Sequence, residues 1–326
     1  TGSVTIPAGS LFAPILINPQ DDNQFEGDET VVIRLAEGTG YVGDTNTTHT
    51  ITITDNEQAD PLKGWTYATD VSHDSVASDF IGNTNVGETI YEMYGMAVKE
   101  DPDTGRIWVA LNANLPITGR TVPTQWDRFT VPDGNIGWGD MFFDFSGTGN
   151  FQNALDSGQM FGVRFADTND SGVEAGVYRG VSGKSVVSEN AGFWNLDSHN
   201  RHVVEKGTGL DSSMGDLAWN DSYYYPYDRP GPVKMPNVID SGERVGAVAI
   251  HNRTELENQG FDPSQFPQLG DEIFGFSFQK PDGMTGDFIA TILEECINDG
   301  MALRGFFGSA TTGPVASTGA SVVVVR

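Results

Sequence analysis

The sequence predicts an all-β protein, and three observations point to it. Apolar residues alternate with Thr, Ser or Arg in short runs such as "TVVIRL" and "HTITIT", the period of a strand with one buried face. The 40 glycines and 16 prolines are scattered without a repeat, as turns between many short strands require. In "YEMYGMAVKEDPDTGRIWVALNANL" two β-prone runs flank "DPDTG", whose proline, aspartates and glycine are turn formers, so this stretch reads as a hairpin.

Taken in order, residues 1–57 read as one domain of four short strands: "SVTI", "LFAPILI", "TVVIRL" and "HTITIT". The loop "DDNQFEGDET" before the third strand is densely acidic. Such a loop is either a solvated hairpin tip or the wall of a cation site, because like charges at that density repel. Residues 58–63 are polar with a proline and serve as a linker. Residues 64–308 form a second domain of short apolar runs divided by glycine-rich turns. Helical turns are expected at "NALDSG" and at "TELENQG", the latter with Thr254 as N-cap and Glu257 three residues on. "FWNLDSHNRHVV" does not read as a helix. "DFIATILEECINDG" fits helix and strand equally. Residues 309–326 are a flexible stretch followed by the β-prone run "SVVVVR".

Charge narrows the function. With 45 acidic against 18 basic residues the formal net charge is −27, which excludes a generic nucleic-acid binder, since that needs a basic face to displace counterions. It also disfavours adhesion to anionic lipid, while it favours divalent cations. No run of about 18 apolar residues appears, so no membrane insertion is expected in this chain. A single cysteine, Cys296, precludes an intrachain disulfide. Among apolar neighbours it is expected to be buried and inert.

The candidate sites follow from residue type and spacing. Asp167, Asn169 and Asp170 in "ADTNDSG" echo the start of a calcium loop without its downstream glutamate, so the stretch reads as a turn with a second metal site as the sharper alternative. Tyr223, Tyr224, Tyr225 and Tyr227 in "DSYYYPYDRPGP" are either a contact surface for sugar or subunit, or rings folded into the core. His199 and His202 in "SHNRH" lack the rest of a zinc motif and are expected to be structural. No nucleophile elbow or phosphate loop is present. A glycosidase carboxylate pair cannot be picked out by spacing alone, so no enzyme is expected.

Two resemblances add to this reading. "GSVTIPAGS", "DDNQFEGDETVVIRL" and "TITITDNE" resemble the second half of a Calx-beta domain, an immunoglobulin-like sandwich that often binds calcium. The resemblance implies that residues 1–57 are an incomplete sandwich and that Asp21, Asp22, Glu26 and Asp55 are calcium ligands. "YEMYGMAVKE", "GNIGWGDMFFDFSG", "GVRFADTNDSGVEAGVYRGVSGKSV" and "GDFIATILEECINDGMALRG" resemble a cyanobacterial family of exosortase-dependent surface proteins. That implies a secreted, largely β domain, a larger β-sandwich or jelly-roll-like fold, and strands in "DFIATILEECINDG".

The expected function is therefore an extracellular, calcium-stabilised structural surface protein, its partners other copies of itself and surface polysaccharide. Val322, Val323, Val324 and Val325 are expected to add as a strand to the incomplete sandwich of a neighbouring copy, a head-to-tail contact that propagates into a filament. A carbohydrate-binding adhesin is the first alternative, and a secreted glycoside-active enzyme the second.

Overall fold

A computed structural model describes residues 29–34, 48–53, 62–78, 83–126 and 129–308. The chain divides into two compact units, one of which contains residues 62–308. The expected calcium ligands Asp21, Asp22, Glu26 and Asp55, the strand Val322–Val325, and the predicted strands "SVTI" and "LFAPILI" lie outside the described residues. In the other unit, Glu29–Arg34 pairs antiparallel with Thr48–Ile53, Val31 opposite Ile51. These are the alternating runs "TVVIRL" and "HTITIT", paired as hairpin partners.

The protein is mostly β, with 43% strand, 12% helix and several antiparallel sheets. The all-β expectation is thus met in the main and corrected by three short α-helices among the described residues. In the unit of residues 62–308, a five-stranded sheet runs in the order Val248–Asn252, Glu272–Gln279, Arg106–Ala113, Met93–Asp101, Trp65–Thr69. A six-stranded sheet runs Val238–Gly246, Gly176–Lys184, Met160–Arg164, Met141–Asp144, Gly286–Leu293, Gly300–Phe307. Every neighbouring pair in both sheets is antiparallel. The "DPDTG" hairpin is the pairing of Met93–Asp101 with Arg106–Ala113.

Period two explains where each side chain goes. From Arg106–Ala113, Ile107, Val109 and Leu111 enter the large core that both sheets share. Trp108 and Ala110 point the other way, into a smaller cluster with Trp65, Leu256, Phe261 and Phe266. The six-stranded sheet is apolar on both faces as well. Met141, Phe143, Val163, Ala290 and Leu303 line the shared core. Phe142, Met160, Tyr178, Leu293 and Ala302 line a third cluster, which Phe151, Leu155 and Leu196 cover from two helices. Strands buried on both faces lose the polar half of the alternation, which is why "MFFD" and "ATIL" read as continuous apolar runs. "DFIATIL" forms the strand Gly286–Leu293, the choice that the surface-protein resemblance favours.

Helix Phe151–Ser157 covers the predicted "NALDSG" turn and starts at the N-cap Asn150. Helix Arg253–Asn258 starts two residues earlier than expected: Asn252, not Thr254, is the cap, with Glu255 closing the box through a 2.8 Å bond to the Asn252 N–H. The 11-residue helix Leu196–Lys206 was not expected from "FWNLDSHNRHVV". Asn195 caps it, Ser198 returns the bond, and Asp197 pairs with Arg201 at 2.8 Å. That capping pair was present in the sequence, but Asn and Ser are equally turn residues. Gly275 marks a close approach: a Cβ there would sit 2.0 Å from the Val109 carbonyl oxygen and 3.0 Å from Leu256.

Phe143 sits at the centre of the shared core, fully buried, with ring centroids of Phe278, Phe288 and Phe307 at 6.1, 5.6 and 6.3 Å. Replacing it with alanine removes those contacts and leaves a cavity between two sheets that cannot collapse freely. Phe143→Ala is expected to lower the unfolding free energy by roughly 3–5 kcal/mol, read from denaturant melts; a loss under about 1 kcal/mol would contradict this packing.

Candidate metal centre

A cluster of buried carboxylates lies where one edge of the five-stranded sheet meets the turn of an outer hairpin of the six-stranded sheet. Asp70 follows Trp65–Thr69 directly, its N–H bonded to the Tyr94 carbonyl at 3.1 Å. Asp74 lies on the loop that follows. Asp299 lies in the turn between Gly286–Leu293 and Gly300–Phe307. One carboxylate oxygen from each of the three lies within 4.8 Å of the other two, and Asp74 and Asp299 are essentially without solvent exposure.

Main-chain donors set these groups in place. Asp299 receives the Met93 N–H on Oδ2 at 2.8 Å and the Gly300 N–H on Oδ1 at 2.7 Å. Asp74 receives the Ser213 N–H on Oδ2 at 2.7 Å. Asp70 receives the Val71 N–H on Oδ1 at 2.8 Å. Their remaining oxygens, Asp70 Oδ2 and Asp74 Oδ1, are sealed from solvent and have no hydrogen-bond partner. Asp70 is partly exposed as a residue, so it is this buried oxygen that matters. Glu92 adds a fourth carboxylate: its Oε2 accepts from Ser75 Oγ at 2.7 Å and from the Glu88 N–H at 2.6 Å. Its Oε1 is buried without a partner.

His199 latches the cluster to helix Leu196–Lys206. Its Nε2 lies 2.9 Å from the Asp74 carbonyl oxygen and 3.0 Å from that of Asn298. Two acceptors require a proton on Nε2, so this nitrogen is a donor, not a metal ligand. Burial pushes its pKa down to about 4 and keeps the ring neutral.

Burial, followed by neighbouring carboxylates, pushes Asp70 and Asp299 well above the usual carboxylate range. Asp74 and Glu92 rise to about 7, again chiefly through burial. Such groups hold either protons or a cation, since desolvated like charges disfavour ionisation. The donor set is all oxygen and hard, so the cluster can hold a divalent metal ion of the calcium or magnesium kind.

The sites expected from sequence sit elsewhere. Asp167, Asn169 and Asp170 turn to different partners: Asn169 donates from Nδ2 to Asp140 Oδ1 at 2.8 Å, and Asp170 Oδ2 accepts from Asn190 at 2.9 Å. The Asp167 carbonyl accepts from Arg164 at 3.0 Å. Glu295 holds this turn through the Asp170 N–H at 2.6 Å and the Gly137 N–H at 2.8 Å, and burial lifts its pKa to about 8. Tyr223, Tyr224 and Tyr227 are buried in the third cluster. Tyr225 is at the surface, with the Arg229 guanidinium 3.9 Å from its ring centroid. Cys296 is a free, buried thiol, as expected.

The carboxylates of the cluster were missed because no short motif contains them. One signal was there: the acidic pair in "ATILEECIND" interrupts an apolar strand run, and carboxylates inside such a run are costly unless something compensates them.

An antiparallel β protein with a buried acidic candidate metal centre is thus the class that fold and site define. No family model, curated protein or solved structure matches the chain.

Without metal, the raised carboxyls make stability depend on pH. The folded chain then holds protons that the unfolded chain releases, so stability is full below the ordinary carboxylate values of 3.8 and 4.5 and is lost as pH rises through about 7. His199 acts in the opposite sense, losing stability as pH falls from 6.5 towards about 4, but the raised carboxyls outnumber it. Metal-free protein is expected to melt at a higher temperature near about pH 5.5 than near about pH 8, and Asp74→Asn is expected to shrink the difference. Equal pH dependence in wild type and variant, followed by calorimetry, would contradict the linkage.

Proposed function

We propose that the chain is an extracellular, calcium-stabilised structural surface protein. The carrying observation is the buried Asp70, Asp74 and Asp299 cluster with its unpartnered oxygens, which is balanced when a hard cation sits among them. Calcium suits the site better than magnesium because carboxylates from two different loops supply irregular geometry, while magnesium demands a near-ideal octahedron. Outside the cell calcium is abundant enough for sites of modest affinity. The composition agrees: a net charge of −27 and a single cysteine leave cation binding, not disulfides, to staple the fold.

The role is structural rather than catalytic. A catalytic metal keeps an open coordination position towards substrate, whereas Asp74, Glu92 and Asp299 are buried and tied to main-chain N–H groups. A cleft of about 490 Å³, lined by Phe145, Gln159, Arg179 and Glu243 among others, contains none of them. That cleft supports a second reading, a glycan-binding module. Phe145 lines the cleft together with the bidentate Arg179–Glu243 pair at 2.8 and 2.9 Å, and binding of a neutral oligosaccharide that is lost in Phe145→Ala would favour it.

Calcium binding to the folded state alone raises its stability by mass action, by about 2.7 kcal/mol at one hundred times the dissociation constant. Calcium is expected to raise the melting temperature of the full chain over that in chelator, and Asp74→Asn to remove most of the gain. Identical melts in calcium and chelator, or an undiminished gain in the variant, would overturn the reading.

A further inference from the structure

We propose that the acidic cluster holds two divalent cations, the second bound by Glu92 and Glu294 beside the one at Asp70, Asp74 and Asp299. The proposal deepens the calcium reading and rests on it.

Glu92 and Glu294 are both fully buried, and each has one oxygen with no partner, Oε1 in both cases. Glu294 is the poorer of the two in donors. Its Oε2 receives the Cys296 thiol at 3.8 Å and its carboxylate is also under the Asp299 N–H, while Glu92 Oε2 has the Ser75 hydroxyl and the Glu88 N–H. The fold brings both to Asp299 through their own backbones. The Glu294 N–H donates to the Asp299 carbonyl at 3.4 Å, and the N–H of Met93, next to Glu92, donates to Asp299 Oδ2. Glu92 is also the strongest charge acting on Glu294, and both act on Asp299. Neither belongs to the tight triad whose oxygens lie within 4.8 Å of one another.

Charge decides the number of ions. Five ionised carboxylates carry a formal −5. One divalent cation leaves −3 in a water-excluded space, and two leave −1. The charges that act most strongly on the five are other carboxylates, not lysine or arginine. Buried, unpaired charge costs several kcal/mol per ion, so a second cation is the compensation that matches the unpartnered oxygens.

The test counts calcium ions per chain by native mass spectrometry at saturating calcium, on the full-length wild type, Glu294→Gln and Asp74→Asn, each checked for wild-type circular dichroism. The expected result is one ion fewer in Glu294→Gln than in wild type, and a lower count in Asp74→Asn as well. A folded Glu294→Gln with the wild-type count overturns the second ion, while a reduced count in Asp74→Asn leaves the first one standing. Unchanged counts in both variants overturn the whole site. If Glu294→Gln does not fold, Glu92→Gln is scored by the same rule.

Discussion

Like charges without water are the constraint on which this structure turns. At 4.8 Å, two carboxylates repel by roughly 3–4 kcal/mol at an effective dielectric constant of about 20. Three such pairs add up to about 10 kcal/mol, as large as the whole stability of a typical domain, about 5–15 kcal/mol. Asp70, Asp74 and Asp299 therefore cannot all be ionised in the folded chain unless a cation lies among them. Protons offer one way out, and burial raises the carboxyl pKa values accordingly. A divalent ion offers the other, and it alone turns the repulsion into a tie between segments.

What the tie joins follows from the sheets. Asp70 and Glu92 adjoin the edge strand of the five-stranded sheet and its inner neighbour, and Asp299 and Glu294 belong to the outermost hairpin of the six-stranded one. Between those sheets lies the shared core around Phe143, Phe276 and Leu303. A cation held here would cross-link the two sheets. His199 carries the link one step further, because its ring N–H holds the carbonyls of Asp74 and Asn298 to helix Leu196–Lys206. The cluster thus has rigid surroundings before any ion arrives, and pre-organised ligands lose little freedom on binding.

The strands were legible in the sequence because period two is a local signal: "TVVIRL", "HTITIT" and the "DPDTG" hairpin each announce themselves within a few residues. Helix Leu196–Lys206 was hidden because its Asn195 and Ser198 cap uses the same residue types as a turn. The shift from Thr254 to Asn252 at the other helix has the same origin, since "NRTEL" contains two residues able to cap. The acidic cluster was illegible for a different reason. Its carboxylates come from separate strands and turns, and only the antiparallel pairing of Trp65–Thr69 with Met93–Asp101 and of Gly286–Leu293 with Gly300–Phe307 brings them together. "ADTNDSG" reads as a turn first and a metal site second, and the Asn169 and Asp170 side chains are taken up by hydrogen bonds there. The tyrosine run left a contact surface and a core role open, and three of its four rings serve the core. Charges inside apolar runs, such as Glu294, were the more informative feature.

The most direct test of the central claim is anomalous diffraction from crystals grown in calcium and soaked in a lanthanide. The account predicts an anomalous peak bounded by Asp70 Oδ2, Asp74 Oδ1 and Asp299, with carboxylate oxygens at about 2.3–2.6 Å from the calcium in the unsoaked crystal. A well-ordered cluster with no peak, its carboxyl groups hydrogen-bonded to one another through shared protons, would contradict it.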